Sequence, residues 1–344
     1  MAIQLGRSIV YENAPMISFW GSCVGKKEGE GPFAEKFDKV FEDTTLGKKA
    51  WEESESELIK NAAEIALAKG KWTWADVDCI FAGDLLSQCI ASSYAFAGVG
   101  VNYCGLYGAC STMALALINA ANLIECDAAA RTLAATGSHF CSSERQFRFP
   151  LEYGNQRAPT AQWTVTGAGA AILESGKNRN CKGKVRIRAA RFGEITDLGV
   201  TDANNMGAAM APAAASTIAG IMEDLKCDLC DFDKIVTGDL GHVGSDILYE
   251  YLKKEHKIDI ESLHDDCGKL IFDREAQDVH GGGSGAGCSA SMLCSHFLGE
   301  LAAGNLKRIL FVPTGALLSA STVKQGRTIP AVAHAVVLET TLQS

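Results

Sequence analysis

One eight-residue pattern occurs twice in the chain, and it constrains the fold more than any other feature of the sequence. Residues 78–85 (DCIFAGDL) and residues 233–240 (DKIVTGDL) each predict a short apolar strand that ends in a Gly-Asp turn. Three further signals recur in the same order in both halves: a small-Cys-Ser segment before a helical stretch, a strand closed by Thr-Gly, and a last apolar strand. We therefore interpret the chain as a tandem duplication of one β/α unit.

The other matched pairs come from distant parts of the sequence. They are 109–111 with 287–289, 136–137 with 314–315, and 170–174 with 335–339. Short apolar strands that alternate with helices predict parallel-rich sheets covered on both faces. Two such units packed through helices would form a five-layer α/β/α/β/α protein, with an N-terminal half at 1–178 and a C-terminal half at 179–344. We expect a ligand site between the halves, at the ends of strands and helices.

The composition and charge of the 344-residue chain exclude several classes of protein. Lys and Arg number 32 against 41 Asp and Glu, and the net charge of −9 argues against a nucleic-acid partner. No uncharged apolar run reaches the ~18–20 residues of a membrane span, and the N-terminus lacks a signal-peptide pattern. The 13 scattered cysteines indicate a reducing compartment. We expect a soluble cytoplasmic-type protein that meets a membrane only peripherally or through a partner.

Two local motifs suggest cofactors, but their spacing supports neither. Cys227-x-x-Cys230 and His264-x-x-Cys267 are further apart than the usual zinc finger allows, so ordinary thiols are the better interpretation. The glycine-rich run 281–285 lacks the Gly-Lys-Ser/Thr ending of a phosphate-binding loop, and close backbone approach explains it better. We predict no cofactor and no resident metal.

Cys110 lies where a small-residue turn opens an Ala/Leu-rich helix. Gly108 and Ala109 permit close backbone approach, and Ser111 and Thr112 are residues of the type that caps a helix. The N–H groups and the positive end of that helix would favour a thiolate at Cys110 and attract an anionic ligand. The alternative is a small buried residue at a tight helix–sheet contact.

The sequence resembles known proteins at two levels, a superfamily and a family within it. The duplicated halves with Gly-Ala-Cys-Ser at a helix start resemble the thiolase and ketoacyl-synthase superfamily. More closely, the chain resembles the stage V sporulation protein AD family of spore-forming Firmicutes, over essentially its whole length. The segments that carry this resemblance are 18–22 (SFWGS), 81–85 (FAGDL), 107–112 (YGACST), 235–241 (IVTGDLG) and 280–285 (HGGGSG).

The resemblance implies a role in spore formation rather than ordinary thiolase chemistry. Proteins of that family are associated with uptake of dipicolinic acid into the forespore and its release in germination, together with membrane proteins of the same operon. The resemblance implies direct binding of dipicolinic acid, free or as its calcium chelate, in a pocket that corresponds to the superfamily's active site. It also implies a place at the spore inner membrane and a homodimer formed through strands of the first half and the loop near the nucleophile.

The superfamily's acyl transfer needs a cysteine nucleophile and two further His or Asn residues. By motif, Cys110 matches the nucleophile, and His280 resembles the His of a Gly-His-Pro-x-Gly element whose proline is missing here. The third position falls at Asp239, whose carboxylate would repel a developing oxyanion; His242 could replace it, although no family motif supports this. We therefore expect a non-catalytic binding protein. An acyltransferase that uses Cys110 with His280 is the second hypothesis, and a purely structural adaptor is the third.

Dipicolinate is a flat dianion, so its site should offer cations, N–H donors and a flat apolar wall. The basic loop at 138–157 is the best supplier, because an arginine fork pairs well with a carboxylate. The predicted ligand-binding residues are Cys110, His139, Arg145, Arg148, Arg157, Asp239, His242, His280 and Ser284. The alternatives are that the arginines are solvated or interfacial, and that Asp239 and Asp84 are turn carboxylates rather than calcium ligands.

Overall fold

Strands and helices alternate along the computed structural model, which describes residues 2–13, 15–147, 157–178 and 180–342. Within those ranges the strands are β1 (Ile3–Leu5), β2 (Ser8–Val10), β3 (Pro15–Gly25), β4 (Lys39–Phe41), β5 (Cys79–Gly83), β6 (Asn102–Gly105), β7 (Arg131–Ser138), β8 (Trp163–Thr164), β9 (Gly167–Ser175), β10 (Val185–Arg191), β11 (Lys234–Thr237), β12 (His264–Asp266), β13 (Gly283–Ser284), β14 (Arg308–Val312), β15 (Thr314–Ala316), β16 (Ala331–Ala333) and β17 (Ala335–Thr340). The α-helices are α1 (Lys26–Gly29), α2 (Trp51–Gly70), α3 (Ile90–Ala95), α4 (Thr112–Glu125), α5 (Phe140–Phe147), α6 (Met206–Leu225), α7 (Gly241–Tyr251), α8 (Cys267–Leu270), α9 (Ala286–Met292), α10 (Leu298–Ala303) and α11 (Ala320–Lys324).

Most strands join one mixed sheet with the order β12-β11-β14-β17-β10-β3-β9-β7-β5-β6. Counted outward from its centre, β10-β17-β14-β11-β12 on one side repeats β3-β9-β7-β5-β6 on the other. On each side the outer three strands run parallel, and β9 or β17 lies antiparallel between its neighbours. The sides meet where Val185 pairs with Ile17 and Arg186 with Met16. The repeated pattern found in the sequence corresponds to β5 and β11, which hold equivalent places in this order.

Three apolar cores separate the layers of the protein. Helices α2 and α3 cover the β5–β7–β9 side from outside, and α6 and α7 cover the β11–β14–β17 side. Helices α4, α9 and α10 fill the central core between the two. Along β14, Phe311 enters the central core while Leu310 and Val312 enter an outer one. The predicted five-layer α/β/α/β/α architecture is therefore confirmed.

The predicted boundaries of the helices and strands hold where the sequence has a clear apolar period. The helix expected from Trp51 to Lys69 is α2, which carries Glu52 and Glu53 in its first turn, near the positive end of the helix. Residues 21–50, expected to be a loop with one short helix, contain the end of β3, then α1 and β4. In the described ranges, no helix combines the length and the apolar character that crossing a bilayer requires.

The prediction of a loop at 138–157 is wrong for its first part, which forms α5. The inward face of this helix is polar, because Ser142, Ser143 and Glu144 are buried while Arg145 is exposed. A helix whose buried face carries hydroxyl and carboxyl groups has no apolar period, so the sequence gives no helical signal there. This helix turns out to line the candidate site.

Candidate ligand site

Cys110 lies on a short 3₁₀ turn, Ala109–Ser111, that leads into α4. The turn is held from within, since the Ser111 hydroxyl donates to the Gly108 carbonyl at 2.6 Å. It is also held from outside by β15: a Cβ on Gly315 would lie 2.3 Å from the Gly108 carbonyl oxygen, so only glycine fits there. Ala109 takes a left-handed φ of 49°. These constraints fix Cys110, which is only 6% exposed, at the base of a pocket.

Asp239 follows β11 and places a fully buried carboxylate behind that pocket. The carboxylate accepts hydrogen bonds from the Gly285 N–H at 3.0 Å, the Thr314 hydroxyl at 2.9 Å and the Ser284 hydroxyl at 3.4 Å. The Asp239 carboxyl group also faces the Cys110 thiol closely enough for each to shift the pKa of the other. Burial raises the pKa of Asp239 to about 7, and the hydrogen bonds that it accepts oppose the rise. The negative charge of Asp239 therefore acts directly on the thiol.

The Cys110 thiol is held in its protonated form. Burial is the largest cause that raises its pKa well above the usual range, followed by the negative charge of Asp239 and the hydrogen bond to it. The expectation that the helix start would favour a thiolate is therefore wrong. The physical reason is that desolvation and a facing carboxylate outweigh the N–H groups near the sulfur.

The inner pocket, as we name it, is a mainly apolar cavity of about 50 Å³ above Cys110. Its lining residues are Leu85, Tyr107, Ala109, Cys110, Ser143, Glu144, Phe147, Thr164, Met206, Ser284, Ala316 and Leu318. Among them, Ser143 has a buried hydroxyl for which the described residues supply no hydrogen-bond partner. Because buried polar groups are normally paired, a hydroxyl without a partner among the described residues is a candidate contact for a ligand. Sequence reasoning missed Ser143, since nothing marks a serine on a polar helix face.

Glu144 places a carboxylate in the lining of the inner pocket, and the guanidinium of Arg157 balances its charge. The Thr164 hydroxyl donates to one carboxylate oxygen at 2.8 Å, and the Arg157 guanidinium lies 3.1 Å from the other. Arg157 also donates to the Gln162 carbonyl at 2.9 Å. Arg157 does not line the inner pocket, so its guanidinium balances the charge of Glu144 from outside that pocket.

A second cavity, which we name the outer cavity, lies on the far side of Arg157 and has a volume of about 270 Å³. Its lining residues are Arg157, Ala158, Ala161, Trp163, Asp278, Val279 and His280. His280 is half exposed, with Nε2 2.8 Å from the Asp278 carboxylate. The prediction that His280 partners Cys110 is therefore wrong. The intervening glycines turn the chain, with a φ of 92° at Gly282, so that Ser284 enters the inner pocket and His280 does not.

Two other predicted ligand-binding residues have partners of their own and line neither cavity. His139 is buried, with Nε2 2.8 Å from the Thr44 carbonyl and Nδ1 accepting the Cys141 N–H at 3.2 Å. Burial lowers its pKa, so the ring is neutral. Arg145 forms an ion pair with Glu52 at the surface.

The other residues predicted from the sequence as site candidates lie outside both cavities or outside the described residues. His242 begins α7 outside both cavities, and burial lowers its pKa, with Arg274 and Lys269 adding to the effect. Arg148 lies outside the described residues. Asp84 accepts the Leu86 N–H at 2.9 Å, which is the turn-carboxylate role. Across the ranges that the structure describes, no three His, Cys, Asp or Glu side chains cluster as a metal site would require.

Comparison with known proteins gives consistent results in sequence and structure. Residues 6–339 match the model of the family described as Stage V sporulation protein AD. The Stage V sporulation protein AD of Bacillus subtilis (strain 168) is 42% identical over 330 residues, covering 96% of each chain.

The solved structures that are similar to this chain share its fold at low sequence identity. They include 3-oxoacyl-[acyl-carrier-protein] synthase III from Aquifex aeolicus VF5, with a TM-score of 0.55 and 14% identity over 94% of this chain and 99% of that one. Human mitochondrial 3-ketoacyl-CoA thiolase has a TM-score of 0.57 and 14% identity over 96% of this chain and 99% of that one. At such identities the likeness establishes a thiolase-like fold and nothing about activity.

Proposed function

The chain belongs to the stage V sporulation protein AD family, and on that premise we propose that it is a non-catalytic binding protein for dipicolinic acid. It takes part in the uptake of this acid into the developing spore and in its release at germination. It does so at the spore inner membrane, together with other proteins of the same operon. The ligand enters the inner pocket, free or as its calcium chelate.

The observation that carries the proposal is the position of the buried Asp239 carboxyl group, which faces the Cys110 thiol and raises its pKa. A cysteine nucleophile must be a thiolate, and an acyl-transfer site needs donors where the oxyanion forms. Here the thiol keeps its proton, and a carboxylate occupies the region where such donors would be needed. No histidine lies among the described residues that line the inner pocket. This arrangement supports binding rather than acyl transfer.

The lining of the inner pocket offers apolar surface and a hydroxyl to a flat ring, and its one carboxylate among the described residues, that of Glu144, is already paired with Arg157. Tyr107, Phe147 and Met206 offer apolar surface to the ring faces, and the Ser143 hydroxyl offers a donor to a carboxylate oxygen. The present cavity of about 50 Å³ has room for several waters but not for an aromatic diacid. Entry of the ligand therefore requires the more exposed lining residues Tyr107 and Phe147 to move aside.

Titration calorimetry with dipicolinic acid, with and without calcium, tests this proposal. We expect saturable binding to the wild type, and about tenfold weaker binding to Ser143→Ala, because a hydrogen bond to a charged group contributes roughly 1.5–3 kcal/mol. The matched control is Ser295→Ala, which removes another unpartnered hydroxyl that lies outside the inner pocket and leaves binding unchanged. Absence of binding by the wild type, together with acyl transfer from an acyl-CoA to Cys110, would overturn the proposal.

We also propose that the protein forms a homodimer through β6. All four residues of this strand are exposed, and the strand lies at one end of the sheet order. An uncovered edge strand invites pairing with another strand, and a second copy of β6 is self-complementary in an antiparallel arrangement. Exposed tyrosines Tyr94 and Tyr103 stand on or beside this edge.

A further inference from the structure

The Trp163 ring and the Arg157 guanidinium line the outer cavity, and Phe140 and Lys27, which do not belong to the lining, pack against the Trp163 ring. The Trp163 ring stacks on Phe140 with their centroids 4.3 Å apart. The Arg157 guanidinium lies 4.7 Å from the Trp163 centroid, and the Lys27 ammonium lies 4.3 Å from it. Aromatic rings and guanidinium planes together form a wall against which a planar anion packs well.

Counted over the described residues alone, Arg157 and Lys27 keep N–H donors available for an anionic ligand. A guanidinium has five N–H donors, and the bonds from Arg157 to Glu144 and to the Gln162 carbonyl use two of them. The Lys27 ammonium donates to the Gln277 carbonyl at 2.7 Å and has two more protons. The acidic residue of the lining is Asp278, which is already 2.8 Å from His280.

The outer cavity and the inner pocket share a wall. Strand β8 pairs with β13, with Trp163 opposite Gly283 and Thr164 opposite Ser284. Because successive side chains of a strand point to opposite faces, Trp163 lines the outer cavity and Thr164 lines the inner pocket. The ion pair of Arg157 with Glu144 crosses the same wall, with its cation on the outer side.

We propose that the outer cavity is a second binding site for planar aromatic carboxylates, separate from the inner pocket. The ligand's carboxylate contacts Arg157, Lys27 and His280, and its ring packs against Trp163. The inference rests on the proposed function for the class of ligand, and on the outer cavity's own residues for the site. Of its residues, the sequence had singled out Arg157 and His280, but as parts of one site with Cys110.

Titration calorimetry with dipicolinic acid on four variants tests the second site. Arg157→Gln removes the central cation, but it also leaves Glu144 buried without its partner, so its folding must be checked by circular dichroism. The double variant Lys27→Gln/His280→Ala weakens the outer cavity and leaves that ion pair intact. Ser143→Leu fills the inner pocket. Arg145→Gln is the matched control, because Arg145 lines neither cavity.

We expect the wild type and Arg145→Gln to bind two equivalents. Ser143→Leu should keep one, and Lys27→Gln/His280→Ala and folded Arg157→Gln should lose one through at least tenfold weaker affinity. A single wild-type equivalent that disappears in Ser143→Leu and persists in Lys27→Gln/His280→Ala would overturn the second site and leave the proposed function standing. The reverse pattern would support the outer site and overturn the inner one. No binding at all would overturn both.

Discussion

The carboxyl group of Asp239 faces the thiol of Cys110, and neither side chain has appreciable contact with solvent. The two residues come from different halves of the duplication and from different places in the repeated unit, because Cys110 precedes α4 and Asp239 follows β11. Their proximity keeps a potential nucleophile protonated.

Replacing Asp239 by asparagine will lower the pKa of Cys110 and speed its alkylation. The substitution removes the negative charge and the carboxylate acceptor that, after burial, hold the thiol protonated. Each pKa unit lost raises the thiolate fraction about tenfold while the pKa stays above the buffer pH. Iodoacetamide labelling followed by peptide mass spectrometry measures the rate at Cys110 alone. Cys23, whose raised pKa is due mainly to burial at another site, is the internal control and keeps its rate. Equal rates at Cys110 in both proteins would contradict the prediction.

Glu28 will make the free energy of unfolding fall as the pH rises. Its buried carboxylate accepts the Thr166 N–H at 2.9 Å, and burial raises its pKa from 4.5 to about 7. The folded state therefore binds this proton more tightly, so the stabilisation is fully present below about pH 4.5 and is lost as the pH rises through 7.

The comparison that isolates this effect is urea unfolding of the wild type and Glu28→Gln between pH 5 and pH 8. Between pH 5 and pH 7 the wild type should lose stability relative to the variant by up to about 1.4 kcal/mol per pH unit, with no further loss above that range. Asp239 remains in both proteins, so its own titration cancels. Parallel stability curves would show that Glu28 does not titrate in this range.

Gly169 and Gly299 will respond in opposite ways to the same change to alanine. A Cβ on Gly169, in β9, would lie 2.2 Å from the Ala290 carbonyl oxygen in α9, and backbone must move to admit it. We expect Gly169→Ala to lower the free energy of unfolding by about 1–3 kcal/mol or more. Gly299, in α10, has nothing within 4 Å of its added Cβ, so Gly299→Ala should raise stability by up to ~1 kcal/mol through helix propensity. Denaturant unfolding of both variants checks the pair, and a neutral Gly169→Ala would refute the close contact.

Cys104→Lys will dissociate the proposed dimer. Cys104 is exposed on β6, and a lysine on an edge strand opposes strand pairing, because the two copies would bring like charges together. Light scattering after size exclusion should give half the wild-type mass. Cys126→Lys, at an exposed position that follows α4, serves as the control and keeps the dimer mass. A monomeric wild type would refute the dimer, and an undiminished mass for Cys104→Lys would refute its location.

The fold could be predicted from the sequence because the strongest signals in the sequence are local and occur twice. The Gly-Asp turns after β5 and β11 predicted equivalent strands, and both occupy equivalent places in the sheet. The sequence also identified Asp239 as an obstacle to oxyanion chemistry. The prediction of a thiolate at Cys110 was wrong, because the burial of a thiol depends on elements distant in sequence that pack against it.

The details of the site were less accessible for two physical reasons. The backbone turn at Gly282 places His280 and Ser284 in different cavities. The hydroxyl of Ser143 is buried with no partner among the described residues, a property of the folded protein that residue type does not reveal.

Strand β9 of the mixed sheet has no face exposed to water, and this changes what fixes its register. In a sheet with one wet face, a strand that slips by one residue buries polar side chains, and that cost prevents the slip. In β9, Ala170 and Ile172 enter an outer core while Ala171 and Leu173 enter the central one. A slipped β9 would keep most of its apolar burial. Side-chain volumes, the room that Gly169 leaves for α9, and the buried contacts of Glu174 with Ser18 and Arg131 therefore select the native pairing. Changes of volume along β9 will therefore disturb its register even where hydrophobicity is preserved.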